Sequence, residues 1–207
     1  MLEGHVSSRT WRCESSPAHQ VFMLYTGKGD DGTTKVFDTE KGKRISKSSA
    51  VAEALGACDE LNSWLGLCRA QIVDTKFIIG GECFSDILLR AQKDLFIIQA
   101  ELAGADKTIA PEKVTALETV IAAAEKELPP ITTFFIPGTT AESALLDVAR
   151  TTARRAERRA VSVVESGERA LGEHTRKFMN RLSSLFYALA RLANHISGIK
   201  EDAPDYQ

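Results

Sequence analysis

Between residues 51 and 196 the apolar side chains recur at steps of three and four residues, and this period constrains the fold more than any other feature of the chain. Such a period places apolar side chains on one face of an α-helix. It occurs in five separate stretches, over residues 51–68, 84–102, 114–124, 145–163 and 178–196. No set of strands accompanies them, so the sequence predicts an all-α fold, a five-helix bundle.

Capping residues place the starts of the later helices. Pro111 suits the first turn of the third helix, because the missing N–H of proline would be unpaired there. Thr139, with Glu142 three residues on, is a capping-box signature that opens the fourth helix, which we expect to run to about residue 165. The extended link before it, residues 131–138, presents two aromatics that we expect to be exposed, Phe134 and Phe135.

The bulk composition is that of one ordinary globular domain. The 207 residues carry a net charge of −2 and are 43% hydrophobic, which is enough to bury a sizeable core. The absence of a basic excess argues against nucleic acid as the main partner. No apolar run approaches the roughly 20 residues that a membrane-spanning helix needs. We therefore expect a single domain over residues 23–200, with neither nucleic acid nor a membrane as its partner.

The two ends of the chain and the cysteines add less. Residues 1–22 hold serines, arginines and acids without an apolar core, so a secretory signal is not expected. We predict a disordered extension at 1–22, a flexible tail at 201–207, and a cytoplasmic protein, or one of the mitochondrial matrix in a eukaryote. The cysteines at positions 13, 58, 68 and 83 form no CxxC pair, which indicates reduced packing residues.

A glycine-rich polar loop, Thr26–Thr34, precedes the first helix. Three glycines in six residues let the backbone approach a ligand and turn its N–H groups inward, as anion-binding nests do. Lys28 and Lys35 add positive charge, and Asp30 or Asp31 suits a metal held through water, so a polyphosphate with Mg²⁺ fits the loop. A solvated turn has the same composition and is the alternative. A standard P-loop is excluded, because a threonine occupies the position of its essential lysine.

The predicted fourth helix carries a dense cluster of charge. Four residues at helical spacing share one of its faces: Arg150, Arg154, Glu157 and Arg158. Crowded arginines in a net-acidic chain need acids or an anion nearby, and guanidinium groups match phosphate oxygens. A solvated, salt-bridged face is the alternative. Asp59 of the first helix either lies on the outer surface of the bundle or pairs with an arginine of the fourth helix and fixes its orientation.

Four motifs in this order resemble the PduO-type ATP:cob(I)alamin adenosyltransferases: Thr26–Thr34, Asp59–Ser63, Arg154–Arg159 and Asn180–Ser183. The resemblance extends from residue 23 to the end of the fifth helix. It implies a five-helix, ferritin-like bundle that assembles as a homotrimer with active sites between subunits. The implied reaction moves the 5′-deoxyadenosyl group of ATP onto the cobalt of cob(I)alamin and releases triphosphate.

The resemblance also assigns roles to residues. Nucleotide contacts fall on the loop of one subunit and the arginine-rich helix of its neighbour: Thr26, Gly27, Lys28, Gly29, Asp30, Thr34, Lys35 and Lys47, with Arg154, Arg155, Glu157, Arg158 and Asn180. Asp59 and Arg150 match an intersubunit salt bridge, and Phe134 matches the aromatic on the lower face of the corrin. With Arg154, these three are the expected catalytic residues.

The same resemblance implies the cofactor and the partners. Mg²⁺ would be held mainly by the ATP phosphates, and no dedicated protein ligand set for a metal is expected. A reductase that supplies the electron and an enzyme that uses adenosylcobalamin are the implied partners.

Three positions depart from the family pattern, and three other functions fit parts of the sequence. The departures are Val51 in place of arginine, Thr139 in place of glycine and Ser184 in place of aspartate, and they affect local contacts rather than the reaction. A carrier or sensor on the same scaffold would bind both ligands without catalysis. A nucleic-acid binder would use the arginine face and bind with a steep salt dependence. A purely structural helical oligomer leaves the glycine-rich loop unexplained.

Overall fold

The computed structural model describes residues 25–38, 43–73 and 76–206. Within them the chain forms the five helices that the sequence predicts: α1 (Ala50–Gln71), α2 (Phe84–Leu102), α3 (Pro111–Glu127), α4 (Ala141–Glu165) and α5 (Glu173–Ile196). Pro111 occupies the first turn of α3, as predicted. The extension predicted at residues 1–22 lies outside the described residues. The all-α fold class is confirmed.

Two small hairpins accompany the helices, and the sequence analysis missed both. β1 (Thr33–Thr34) pairs antiparallel with β2 (Ile45–Ser46), and β3 (Ile78–Ile79) pairs antiparallel with β4 (Glu82–Cys83). Each strand has two residues, which is too short for an alternating apolar pattern to show in a sequence. The first hairpin closes the glycine-rich loop, and the second leads directly into α2.

The core lies between the helices. α4 packs against both α1 and α5, while α2 packs on α1 and α3 packs on α5. The fully buried side chains include Leu61, Leu65, Phe178, Leu185 and Phe186. Burying one such side chain contributes about 1.5–3 kcal/mol. α5 is buried over most of Leu182–Asn194, because α3 and α4 cover two of its faces.

The cysteines of α1 are packing residues, as the sequence predicts. Cys58 and Cys68 are reduced and have no exposed surface. Burial raises the pKa of the Cys58 thiol to about 12 and that of the Cys68 thiol to about 11, so neither forms a thiolate readily at neutral pH. Cys83 is also free and half-buried, and Cys13 lies outside the described residues.

α4 begins one residue later than predicted. Its N-cap is Thr140, whose hydroxyl accepts a hydrogen bond from the Ser143 N–H at 3.2 Å, while the Thr140 N–H donates to Ser143 Oγ at 3.0 Å. The predicted capping box of Thr139 and Glu142 is therefore wrong. Both threonines can cap a helix, and Thr140 Oγ1 also donates to Asn194 Oδ1 of α5 at 2.9 Å. That tertiary bond favours the later start.

The first residues of the segment after α5 contact the helical bundle. Glu201 pairs with Arg191 and accepts a hydrogen bond from Asn194 Nδ2 at 2.7 Å. The Ile136 N–H donates to the Asp202 carbonyl at 2.9 Å. The first residues of the segment expected to be a flexible tail are thus attached to α5 and to the link before α4. None of the helices in the described part of the chain is long and apolar enough to cross a membrane.

Candidate functional site

The glycine-rich loop is a series of tight turns. Gly27 and Gly32 have φ angles of +66° and +78°, a region that glycine enters without the steric penalty of a Cβ atom. The Asp30 N–H donates to the Gly27 carbonyl, and the Gly32 N–H donates to the Gly29 carbonyl, both at 3.2 Å. This folding leaves the Lys28 side chain exposed at the surface, where it is available to an anion.

The first hairpin brings Lys47 to the loop. Thr34 in β1 pairs with Ile45 in β2, which returns the chain toward the glycines. The Lys47 N–H donates to the Gly32 carbonyl at 2.9 Å, and Lys47 Nζ donates to the Gly29 carbonyl at 2.8 Å. A residue 18 positions from Gly29 is thereby fixed beside it. Lys35, which directly follows β1, is exposed.

The two acids of the loop have different roles. Asp31 accepts hydrogen bonds from Thr33 Oγ1 at 2.7 Å and from the Thr33 N–H at 3.0 Å, and the hydroxyl bond is the main reason that the pKa of Asp31 is lowered. Arg44, which the sequence analysis did not single out, donates to the Thr33 carbonyl at 2.9 Å. Asp30 is exposed and forms no side-chain hydrogen bond with the described residues, so it is the acid available to a ligand.

Two arginines of α4 are neutralised by acids of α1. Arg155 pairs with Glu60, and Arg159 Nε lies 3.8 Å from Glu53 Oε2. Asp59 does not pair with an arginine of α4 within this chain, and its pairing with one in another subunit stays a prediction. Neighbouring residues of a helix differ in direction by about 100°, and although both acids are exposed, only Glu60 of the two pairs with an arginine of α4. Among the described residues Asp59 has no ion-pair partner.

The other two arginines have no such acid. Arg154 and Arg158 are exposed and form no ion pair with any residue that the structure describes. Beside them, Glu157 accepts a hydrogen bond from Asn180 Nδ2 at 2.8 Å, and Asn180 Oδ1 accepts one from Arg181 Nη1 at 2.7 Å. Two uncompensated positive charges one helical turn apart form a favourable site for a polyanion.

Within one chain the loop and these arginines are not joined. No hydrogen bond or ion pair connects residues 26–35 to Arg154 or Arg158 in the described ranges. The loop is attached instead to its own hairpin, which leads to the start of α1. The structure therefore groups the assigned nucleotide residues into two sets, one on the loop and one on α4 and α5.

A cavity of about 720 Å³ lies beside the link between α3 and α4. This volume is in the range of small-molecule sites. Its lining includes Phe134 and Arg150, two of the residues expected to act in catalysis. Phe134 is 77% exposed, as predicted, whereas Phe135 is half-buried, contrary to the prediction for both aromatics. The Phe134 ring is therefore exposed at the edge of this cavity.

Arg150 is held within its own helix. Its Nε donates to Asp147 Oδ1 at 2.8 Å, and its guanidinium carbon lies 5.9 Å from the centre of the Tyr187 ring. Arg150 and Asp59 do not pair within the chain. Arg150 is paired with Asp147, and Asp59 is exposed.

Arg191 of α5 also lines the cavity, and the sequence analysis missed it. It is 8% exposed, pairs with Glu201, and stacks with its guanidinium carbon 3.6 Å from the Phe135 ring centre. Burial lowers the pKa of this guanidinium, and the charges of Tyr187 and Asp147 oppose that effect. An arginine inside the apolar stretch 178–196 was a signal in the sequence, because a buried charge requires a partner.

Together these features give a helical bundle with a glycine-rich loop that exposes a lysine, two arginines without an ion pair among the described residues, and a cavity lined by an exposed aromatic ring. The sequence model of the family described as cobalamin adenosyltransferase matches residues 24–193. The match covers most of the chain, and the protein belongs to this family.

Individual relatives agree with this assignment. The chain is 39% identical over 180 residues to the corrinoid adenosyltransferase of Bacillus subtilis (strain 168), covering 85% of this chain and 89% of that protein. It is 37% identical over 179 residues to the corrinoid adenosyltransferase PduO of Citrobacter freundii, of which it spans 50%. A variant PduO-type ATP:corrinoid adenosyltransferase from Lactobacillus reuteri, solved in complex with cobalamin and ATP, superposes with a TM-score of 0.79 at 28% identity, covering 89% of this chain and 97% of that one.

Proposed function

We propose that this protein is an ATP-dependent corrinoid adenosyltransferase that forms adenosylcobalamin from ATP and cob(I)alamin. The Co(I) electron pair attacks C5′ of ATP, a Co–C bond forms, the C5′–O bond breaks, and triphosphate leaves with the bonding electrons. The observation that carries the proposal is the exposed ring of Phe134 at a cavity of about 720 Å³. A corrin is broad and flat, and an aromatic side chain beside an open cavity suits its face.

The nucleotide phosphates would lie between the loop of one subunit and α4 of another. Lys28 is exposed and Lys47 is fixed beside Gly29, while Arg154 and Arg158 have no ion pair within the described residues. Because no contact joins these two sets within a chain, neither set would enclose a triphosphate by itself. A second copy that places its α4 against the loop would complete the site.

A homotrimer is the assembly we propose for this arrangement. Leu67 on α1 and Val148 on α4 are 41% and 37% exposed, and apolar side chains on these outer faces suit a contact between copies. Arg150 uses Nε for Asp147 and makes no hydrogen bond through its two Nη atoms in the described part of the chain. Those atoms would bind Asp59 of the next subunit.

The protein residues would act by alignment and charge, because the substrate cobalt is itself the nucleophile. Holding C5′ in line with cobalt makes the step local, which in well-oriented systems is worth up to roughly 7–11 kcal/mol. Arg154 and Lys28 would stabilise the negative charge that develops on the departing triphosphate. Preorganised donors of this kind need no rearrangement during the reaction.

Asp30 is the acid of the loop that would contact a Mg²⁺ ion bound to the ATP phosphates. Asp31 is occupied by Thr33, whereas Asp30 is exposed, and the described residues contain no cluster of three or more His, Cys, Asp or Glu side chains that would bind a metal by itself. The ion would therefore be held mainly by the phosphates, where it would neutralise part of the leaving-group charge.

Phe134 would act on the substrate before adenosyl transfer. Cob(I)alamin is difficult to form because its reduction potential is very low. Packing of the Phe134 ring under the corrin would displace the lower axial base and leave a four-coordinate Co(II) that accepts an electron more readily. The 77% exposure of this ring leaves it free to make that contact.

Product analysis tests the proposal. Anaerobic incubation of the protein with chemically reduced cobalamin, ATP and Mg²⁺ should yield adenosylcobalamin and triphosphate in equal amounts, resolved by chromatography and identified by mass. Binding of both ligands without either product would instead support a carrier. Light scattering tests the assembly, for which we expect about three times the chain mass of 22.6 kDa.

A further inference from the structure

The connection between α4 and α5 binds the segment that follows the glycine-rich loop. Arg169 Nη1 donates to Asp38 Oδ2 at 2.6 Å, and Arg169 Nη2 donates to Asp38 Oδ1 at 2.9 Å, across 131 residues of sequence. A bidentate pair fixes orientation as well as distance. The Arg169 side chain is 17% exposed and that of Asp38 is 45% exposed, so the pair is partly open to solvent and its strength rests on the two-bond geometry.

The end of α2 contacts the same segment. The Phe37 N–H donates to the Ala103 carbonyl at 2.8 Å. The next residue, Gly104, has a φ angle of +92°, and a Cβ atom there would overlap the carboxyl carbon of Asp38 and lie 2.7 Å from Arg169 Nη1. Gly104 therefore provides both the backbone conformation and the space for the pair.

The neighbour of Arg169 caps α1. Glu168 Oε1 accepts a hydrogen bond from the Ala50 N–H at 3.2 Å, and Glu168 Oε2 accepts one from the Val51 N–H at 3.3 Å. These amides are among those that a helix start leaves unpaired, and a carboxylate there also interacts favourably with the helix dipole. Arg169 thus binds the chain at Asp38, and Glu168 binds it at Ala50. These two points lie on either side of β2, the strand that leads to Lys47.

From these contacts we infer that Glu168 and Arg169 are positioning residues for the nucleotide-binding loop. The inference rests on the proposed function, because it takes the ligand of the loop to be ATP. Neither side chain contacts the glycines of the nucleotide-binding loop. They act through Asp38 and the start of α1, which hold the hairpin that carries Lys47. A loop held in its binding conformation loses less conformational entropy when ATP binds, so the pair should strengthen ATP binding.

Two readouts test this, and one needs no ligand. Asp38→Asn and Arg169→Gln should each accelerate hydrogen exchange of the amides at 27–35 in the free protein. Each should also weaken ATP binding, measured by calorimetry, by about fivefold, the upper range for a partly exposed ion pair. KM for ATP should rise while kcat at saturating ATP stays unchanged. Reversing the pair, with Asp38→Arg and Arg169→Asp together, should restore most of the affinity.

Matched variants separate positioning from general stability. Gly104→Ala should reproduce the effect by wedging the pair apart, and Glu168→Ala should act in the same direction through the start of α1. Glu82→Gln weakens another bidentate pair, between Glu82 of the second hairpin and Arg90 of α2, and should leave loop exchange and ATP affinity unchanged.

Unchanged loop exchange in both Asp38→Asn and Arg169→Gln would overturn the inference. So would exchange that rises over the whole chain with a falling melting temperature, because that pattern indicates a structural role only. The proposed function fails separately. Its failure is a wild-type protein that forms no adenosylcobalamin, and the exchange measurement remains decisive in that case because it uses no ligand.

Discussion

The guanidinium carbon of Arg191 lies 3.6 Å from the centre of the Phe135 ring, and the same guanidinium is paired with Glu201. Phe135 is the immediate neighbour of Phe134, the ring that we place under the corrin. The stacked pair therefore holds the backbone from which Phe134 projects. The hydrogen bond from the Ile136 N–H to the Asp202 carbonyl attaches the other side of the link to the same C-terminal segment.

Removal of the Glu201 charge should destabilise the protein strongly. The side chains of Arg191 and Glu201 are 10% and 12% exposed, so Glu201→Gln would leave a buried guanidinium without its counter-charge. Losing one partner of a buried pair costs about 3–5 kcal/mol, which urea unfolding would measure. Glu173→Gln breaks an exposed pair with Lys177 and should leave the stability almost unchanged, because solvent screens the two charges. Equal effects of the two changes would contradict the description of the Arg191 pair as buried.

Phe134→Ala should preserve ATP binding and lose turnover. Without the ring the lower base stays on cobalt, so turnover from Co(II)alamin with a reductant should fall at least about tenfold, equivalent to about 1.4 kcal/mol in the barrier. The loss should be smaller when Co(I) is supplied directly. Phe96→Ala is the control, since Phe96 on α2 is 64% exposed and does not line the cavity. Unchanged turnover with Co(II)alamin would remove this role from Phe134.

Arg154→Ala should impair catalysis far more than Arg159→Ala. Arg154 is exposed without an ion pair in the described chain, whereas Arg159 lies near Glu53. Removing a donor that stabilises transition-state charge lowers kcat by roughly 100- to 1000-fold, and we expect that range for Arg154. Arg159→Ala should lower kcat by less than about threefold. Steady-state kinetics of both variants decide the point, and equal losses would mean that general positive charge matters rather than one guanidinium.

Asp38 should give the folded protein part of its resistance to acid. The hydrogen bonds from Arg169 hold the pKa of Asp38 below its ordinary value of 3.8. A carboxylate with a depressed folded-state pKa stabilises the fold above its unfolded pKa and loses that contribution as the pH falls through the folded-state pKa. Wild type should therefore lose more stability than Asp38→Asn between about pH 5 and about pH 2. Urea unfolding across this range measures the difference, and parallel curves would contradict the prediction.

The helices followed from local information, whereas the start of α4 depended on a tertiary contact. The period of the apolar residues located all five helices, and Pro111 marked the start of α3. At the start of α4 two adjacent threonines could each cap the helix, and a hydrogen bond to Asn194, 54 residues away, favours Thr140. No local pattern contains that information.

The site was predictable as residue types and much less as pairings. Lys47 lies beside Gly29, and Glu157 lies beside Asn180, so residues assigned to one site from the sequence are neighbours, while their role as nucleotide contacts stays a prediction. Helical spacing could not decide between Asp59 and Glu60 as the acid facing α4, because that depends on how α1 is rotated in the bundle. Arg191 was missed because its partners, Phe135 and Glu201, belong to irregular segments that periodicity does not describe.

Absorbance spectroscopy under anaerobic conditions tests the assigned reaction most directly. Purified protein is mixed with chemically reduced cobalamin, ATP and Mg²⁺, and the spectrum is followed with time. The assigned reaction predicts loss of the Co(I) band and growth of an alkylcobalamin spectrum, and both changes should require the protein and ATP. A Co(I) band that persists while the protein binds both ligands would contradict the enzymatic assignment, and failure to bind either ligand would leave only the fold.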